Sequence, residues 1–171
     1  RLIDVGSGAG LPGVVLAIVR PDLEVHLVEP MLRRTQWLEG VVADLGLDSV
    51  TVHRGRAEEF VGVLAAPYVT ARAVARLDKL ARWCFPLLEP QGVLVAMKGR
   101  SAATELEEDR KGLQRLGLTD AVVTEHVSAL LEEPVLTVDL RFAPKPARTK
   151  AARREGARSS KQARSARKAR S

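Results

Sequence analysis

Gly6, Gly8 and Gly10 alternate through the loop Gly6-Ser7-Gly8-Ala9-Gly10, which directly follows the short run Leu2-Ile3-Asp4-Val5. Glycine reaches positive φ at little cost and carries no Cβ, so such a loop turns sharply and lets a ligand rest on bare backbone. A carboxylate, Glu29, stands nineteen residues after Gly10, at the end of a second apolar run, Val25-His26-Leu27-Val28. There it can accept hydrogen bonds from both hydroxyls of a ribose. The two features together predict a nucleoside-containing cofactor, and ribose recognition alone does not separate NAD from S-adenosylmethionine.

Three details favour S-adenosylmethionine. The glycine pattern is G-x-G-x-G, whereas the dinucleotide fingerprint is G-x-G-x-x-G. Asp4, two residues before Gly6, would repel a pyrophosphate but suits the ammonium of a methionine moiety. The chain is also too short for a second mononucleotide-binding half.

These residues need a scaffold, and the chain alternates strand and helix patterns. Strand-like runs are Leu2–Val5, Val25–Val28, Val50–His53, Tyr68–Ala71 and Val93–Met97. The last is unbroken in its apolarity, as expected of a strand covered on both faces of a parallel sheet. Helical spacing covers Pro12 to about Val19, Met31 to about Leu45, a stripe of Leu77, Leu80, Ala81, Cys84 and Leu88, and roughly Ala102 to Leu116. Two final strands, Ala121–Val127 and Val135–Phe142, read as an antiparallel hairpin at one edge. The fold class is therefore α/β, a mostly parallel doubly wound sheet with an antiparallel terminal hairpin. In such a sheet ligands bind beyond the carboxyl ends of the strands, where the glycine loop lies.

The net charge of +6 is unevenly distributed. Residues 143–171 hold eleven Lys or Arg and one acid, leaving sixteen basic and twenty acidic residues in 1–142, a balance of −4. The tail lacks apolar periodicity and aromatics and is expected to be disordered, with RNA phosphate as its partner. If half its cations meet phosphates, log K should fall with log salt at a slope of about −4. No apolar run is long enough to span a bilayer and no signal-peptide pattern is present, so a soluble cytoplasmic protein is expected, and it is expected to be a monomer. A single cysteine, Cys84, excludes an internal disulfide and a cysteine-based zinc site, and no metal is expected.

"DVGSGAGLPG", "RAEEF" at Arg56–Phe60, "ARA" at Ala71–Ala73 and "KG" at Lys98-Gly99 follow one another in this order. From Arg1 to about Phe142 the chain thereby resembles the bacterial ribosomal RNA small-subunit methyltransferase G family, also called glucose-inhibited division protein B. The resemblance implies a class I, Rossmann-like methyltransferase domain over 1–142, with an N-terminal helical segment expected to precede it. It implies methyl transfer from S-adenosylmethionine to N7 of a guanine in 16S rRNA, within the small ribosomal subunit or its precursor, leaving S-adenosylhomocysteine. Cofactor contacts carried over from the family are Gly6, Leu11, Ala57, Glu58 and Arg72, with Glu29 as the acid ending strand two; Gly8 and Gly10 complete the loop. The chain departs from the family in having Pro67 where Asp is frequent and Ala71 where Ser is frequent.

The residue types suit that chemistry. Guanine N7 offers a lone pair and holds no proton, so methyl transfer needs alignment and no general base. Arg72 and Lys98, leaving strands four and five at the ligand end, are the expected positioning residues. Arg72 is expected to support the cofactor or guanine O6, because a fork on O6 and N7 would occupy the nucleophile; Lys98 is expected to meet a phosphate. His26, His53 and His126 are scattered on strands and read as structural, and Cys84 lies on an apolar helix stripe. N7 of paired RNA lies in a groove that side chains cannot enter, so the target must be unpaired or flipped out. Trp37 and Trp83 sit at the margins of their stripes and read as packing residues. Three alternatives stay open: a small-molecule methyltransferase of the same fold, an RNA-binding ribosome-assembly factor without turnover and, more distantly, an NAD enzyme.

Overall fold

The computed structural model describes residues 1–72, 75–129 and 132–143. Ala73 and all of the basic tail beyond Ala143 lie outside the described residues. In chain order the elements are β1 (Leu2–Val5), α1 (Gly13–Val19), β2 (Val25–Glu29), α2 (Leu32–Asp44), β3 (Val50–Arg54), β4 (Ala66–Arg72), α3 (Leu77–Cys84), β5 (Leu88–Lys98), α4 (Ala102–Arg115), β6 (Leu118–His126) and β7 (Val135–Phe142). A 3-10 turn, Ala57–Phe60, links β3 to β4, and a second, Phe85–Leu87, links α3 to β5.

The strands form one sheet in the order β3-β2-β1-β4-β5-β7-β6. β1 to β5 are parallel, while β7 enters antiparallel between β5 and β6. The order reverses between β1 and β4, which opens a crevice at their carboxyl ends. All four residues of β1 are buried, since helices cover both faces. Leu2 faces a core of Val14, Ala17, Val25, Leu27, Leu38 and Val50 beneath α1 and α2. Ile3 and Val5 face the larger core that includes Leu77, Leu80, Cys84, Leu94, Leu106 and Leu140 beneath α3 and α4. By the same alternation Asp4 shares the face of Leu2, under the start of α1.

Two element boundaries differ from the expected ones. Leu88 does not belong to the helix; α3 stops at Cys84, and Pro86 breaks its hydrogen-bond ladder within the second 3-10 turn. Leu88 instead opens β5, which runs through Pro90 and Gly92. The ladder absorbs them in an irregularity: Ala66 pairs with Leu88 and Tyr68 with Val93, and Gln91 takes a φ of 67°. β6 begins at Leu118, three residues before the expected Ala121, because a pairing shift between Leu118 and Asp120 lets it continue along β7.

Candidate active site

The glycine loop leaves β1 and returns through Pro12 into α1. Gly6, Gly8 and Gly10 have φ of 71°, 58° and 101°, all in the region glycine tolerates best. The three positions nonetheless do different work. A Cβ on Gly10 would stand 2.6 Å from Val14 Cγ2 and 3.3 Å from Leu38 Cδ2, so Gly10 is bare to let α1 close on the core. Gly10 lines neither of the hollows described below. A Cβ on Gly8 would meet only the Gly6 carbonyl oxygen, at 3.8 Å. Among the described residues, its chain neighbours aside, no other atom comes within 4 Å of that position.

Two carboxylates hold this loop. Glu29, at the end of β2, is 2% exposed. Its Oε2 accepts the Gly8 N–H at 3.0 Å and its Oε1 accepts the Met31 N–H at 3.0 Å, with Arg34 Nη1 3.8 Å away. Each carboxylate oxygen retains acceptor capacity beyond one bond, so Glu29 can shape the loop and still receive a hydroxyl. Asp4 is fully buried; its Oδ2 accepts the Gly13 N–H at 3.0 Å, one of the donors left free in the first turn of α1. Among the described residues its Oδ1 has no hydrogen-bond partner. Burial raises its pKa from 3.8 to about 6, opposed by the Gly13 N–H, by Ser7 and by the charge of Arg72.

Two hollows adjoin at Gly6, Met31 and Arg34. The first, ≈ 440 Å³, is walled by Val5, Val28, Glu29, Ala57, Glu58 and Trp83. The second, ≈ 680 Å³, lies over Ser7, Gly8 and Ala9 and is walled by Leu11, Arg33, Arg34, Trp37 and Arg72. Both volumes fall in the usual range of small-molecule sites. The structure thus brings Gly6, Gly8, Leu11, Glu29, Ala57, Glu58 and Arg72 to one crevice. The residues present fit a nucleoside with an amino-acid arm: an acid for the ribose and an open backbone cradle. Asp4, expected beside the ammonium, is instead fully buried under the start of α1 and lines neither hollow.

Lys98 is elsewhere. Its ammonium donates to the Ala75 carbonyl and pairs with Glu105 Oε1 at 2.8 Å, with the side chain 8% exposed. In place of the expected phosphate, the Lys98 ammonium meets a backbone carbonyl and a carboxylate of the protein itself, on the wall of a separate hollow of ≈ 510 Å³. Glu105 Oε1 also accepts the Leu77 N–H at 2.7 Å, and Asp109 Oδ2 the Asp78 N–H at 3.2 Å. Arg76 has no capping side chain to offer α3, so carboxylates of α4 satisfy the free donors at its start. Arg76 itself reaches back to Glu108 and Asp109 at 2.8 and 2.7 Å.

Several site residues escaped the sequence reading. Trp83 packs against the larger core, as expected, yet also lines the first hollow with Lys79, whose Nζ lies 5.2 Å from the indole centre. Their spacing of i, i+4 on α3 was the available signal. Trp37 departs from its expected packing role and is 59% exposed. His26 and His53 hydrogen-bond each other at 3.0 Å across β2 and β3, away from both hollows. Cys84 is fully buried, which pushes its thiol pKa up and leaves it inert. Among the described residues no group of three His, Cys, Asp or Glu could hold a metal ion, and no helix is long and apolar enough to cross a membrane.

The fold is that of known methyltransferases. A S-adenosylmethionine-dependent O-methyltransferase from Thermotoga maritima superposes with a TM-score of 0.62 at 17% identity, covering 85% of this chain and 60% of that one. An rRNA methylase from Streptococcus thermophilus gives 0.58 at 17% identity, covering 84% and 86%. The sequence is closer to another set. A ribosomal RNA small subunit methyltransferase G from Paenarthrobacter aurescens is 53% identical over 149 residues, 87% of this chain and 68% of that protein. The protein of the same description from Mycolicibacterium smegmatis is 48% identical over 159 residues, covering 90% and 66%. The chain thus spans about two thirds of the length of these relatives. The family model described as rRNA small subunit methyltransferase G matches residues 1–133, and the chain belongs to that family.

Proposed function

We propose that this chain transfers a methyl group from S-adenosylmethionine to N7 of a guanine in 16S rRNA, in the small ribosomal subunit or its precursor in the cytoplasm. The observation that carries the reading is the empty space over Gly8, one hydrogen bond from the buried Glu29 carboxylate, in a chain of this family. S-adenosylmethionine supplies an electrophilic methyl on a sulfonium. The protein's part is placement. Glu29 takes the ribose hydroxyls, Ala57 and Glu58 border the adenine, and the backbone from Gly6 to Gly8 receives the amino-acid arm, with Leu11 as an apolar lid. Arg72, exposed at the mouth of the second hollow, orients the donor or the guanine O6. Because N7 carries no proton, alignment with the methyl is the whole task and no residue needs to remove one.

Asp4 adds a pH dependence with a definite sign. A carboxyl whose folded pKa is raised binds its proton more tightly in the native state, so its contribution falls as pH rises from about 4 to about 6. The penalty at neutral pH is roughly 2–3 kcal/mol. Asp4→Asn should flatten that part of the stability profile, read as the difference between the two proteins in urea unfolding at pH 4.5 and 7.

The function itself is tested with radiolabelled donor. Label transferred to 16S rRNA or to small subunits, located by mass spectrometry as 7-methylguanine, is the expected result. Donor binding without RNA methylation would remove the substrate assignment, and no donor binding would remove the cofactor.

A further inference from the structure

The second hollow holds more than a small donor requires. Its walls carry three guanidinium groups, Arg33, Arg34 and Arg72, and its lining includes no carboxylate. This is a local reversal of sign, since residues 1–142 have four more acids than bases. Arg33 forms no hydrogen bond or ion pair among the described residues, and Arg34 is 55% exposed with only the 3.8 Å approach to Glu29. Three apolar side chains lie open beside these charges: Leu11 at 42%, Met31 at 53% and Trp37 at 59% exposure. Arg33 and Trp37 are four residues apart on α2, which stacks them on one face of the helix, while Thr35 and Leu38 turn inward. An indole left in water beside the unpaired Arg33 guanidinium suits a partner that is flat, apolar on its faces and anionic along its edge. Unpaired nucleotides have that chemistry: the base stacks on an aromatic plane and the phosphate takes the guanidinium.

We infer that Trp37 and Arg33 form a seat for a nucleotide of single-stranded RNA, immediately beside the donor crevice. The inference rests on the proposed RNA substrate and adds the surface that receives it. The base lies on the Trp37 indole, Arg33 takes the adjoining phosphate, and Arg72 stands between this seat and the glycine loop. A single-stranded segment anchored here runs past the mouth of the donor crevice, so the unpaired guanine is presented without the protein entering a paired groove.

The experiment uses the full chain and a 16S rRNA fragment containing the methylated guanine. Trp37→Ala should weaken RNA binding about 10- to 100-fold, and Trp37→Phe should recover most of it. Arg33→Ala should lower the slope of log K on log salt by roughly 0.7, one single-strand phosphate contact. S-adenosylmethionine affinity, measured by calorimetry on each variant, reports whether the fold and donor crevice survive. A parallel loss of donor and RNA affinity in Trp37→Phe as well as Trp37→Ala overturns the seat, since the indole then serves the crevice or the fold. Fluorescence gives an independent reading because the chain has two tryptophans. In Trp83→Phe a short oligoribonucleotide should quench the remaining indole, and in Trp37→Phe it should not; quenching confined to Trp83 overturns the proposal. If Trp37→Ala binds naked RNA normally and fails only on assembled subunits, the surface meets a ribosomal protein and the nucleotide seat is wrong. If the wild-type chain methylates RNA while Trp37→Ala binds RNA as tightly, the seat alone fails. If the wild-type chain neither takes up donor nor methylates RNA, the proposed function fails and the seat with it.

Discussion

Gly8→Leu is expected to weaken S-adenosylmethionine binding by on the order of 100-fold, about 2.7 kcal/mol, while the protein stays folded. Among the described residues a Cβ on Gly8 approaches only the Gly6 carbonyl oxygen, at 3.8 Å, so the first added carbon meets none of the core atoms that crowd Gly10. The fold bears only the strain of a non-glycine residue at φ 58°, about 1–2 kcal/mol and a few degrees in Tm. The ligand bears the rest, because the leucine occupies its cradle and tilts the N–H that Glu29 accepts. Gly10→Leu provides the contrast. There the new carbons run into Val14 and Leu38, and the expected result is an unfolded or aggregated chain. Calorimetry with the donor, alongside thermal melts, separates the two outcomes. Undiminished donor affinity in a folded Gly8→Leu protein would sink the assignment of the crevice.

Lys98→Met is expected to destabilise the domain by about 3–5 kcal/mol, the usual consequence of removing one partner from a buried ion pair. Glu105, 15% exposed, would keep its bond to the Leu77 N–H but lose the ammonium that balances its charge. The Ala75 carbonyl would lose its donor at the same time. Since Ala75 follows closely on Arg72 in the chain, loosening this clamp should also lower kcat more than donor affinity. Urea unfolding reads the first effect and single-turnover methylation the second. A variant of wild-type stability whose RNA binding has become less salt-dependent would instead return Lys98 to the phosphate role expected from sequence.

The contrast between these two residues marks where sequence reading stops. Lys98 and Arg72 look alike in the chain, each a cation closing an apolar strand. Their fates differ because α4 places Glu105 against Lys98, while Arg72 lines the second hollow. Gly8 and Gly10 look alike for the same reason, and only the approach of Val14 and Leu38 separates a ligand cradle from a packing requirement. Trp37 lay at the edge of a helical stripe, where a turn of a few tens of degrees decides between core and solvent. Leu88 fitted the α3 stripe by spacing, yet Pro86 ended the helix before it.

The alternation of strands and helices, the glycine loop after β1 and the carboxylate ending β2 were all set by local chemistry: hydrophobic period, backbone freedom and turn residues act within a few positions of one another. Strand order, the inward turn of Lys98 and the gathering of Arg33, Trp37 and Arg72 beside Gly8 were decided by pairing and packing between segments far apart in the chain. A residue's own neighbours in sequence determine which element it joins. Whether its charge or ring then meets protein or open space depends on which distant element is laid against it, and that is settled only when the sheet closes β1 against β4 and the helices cover its faces.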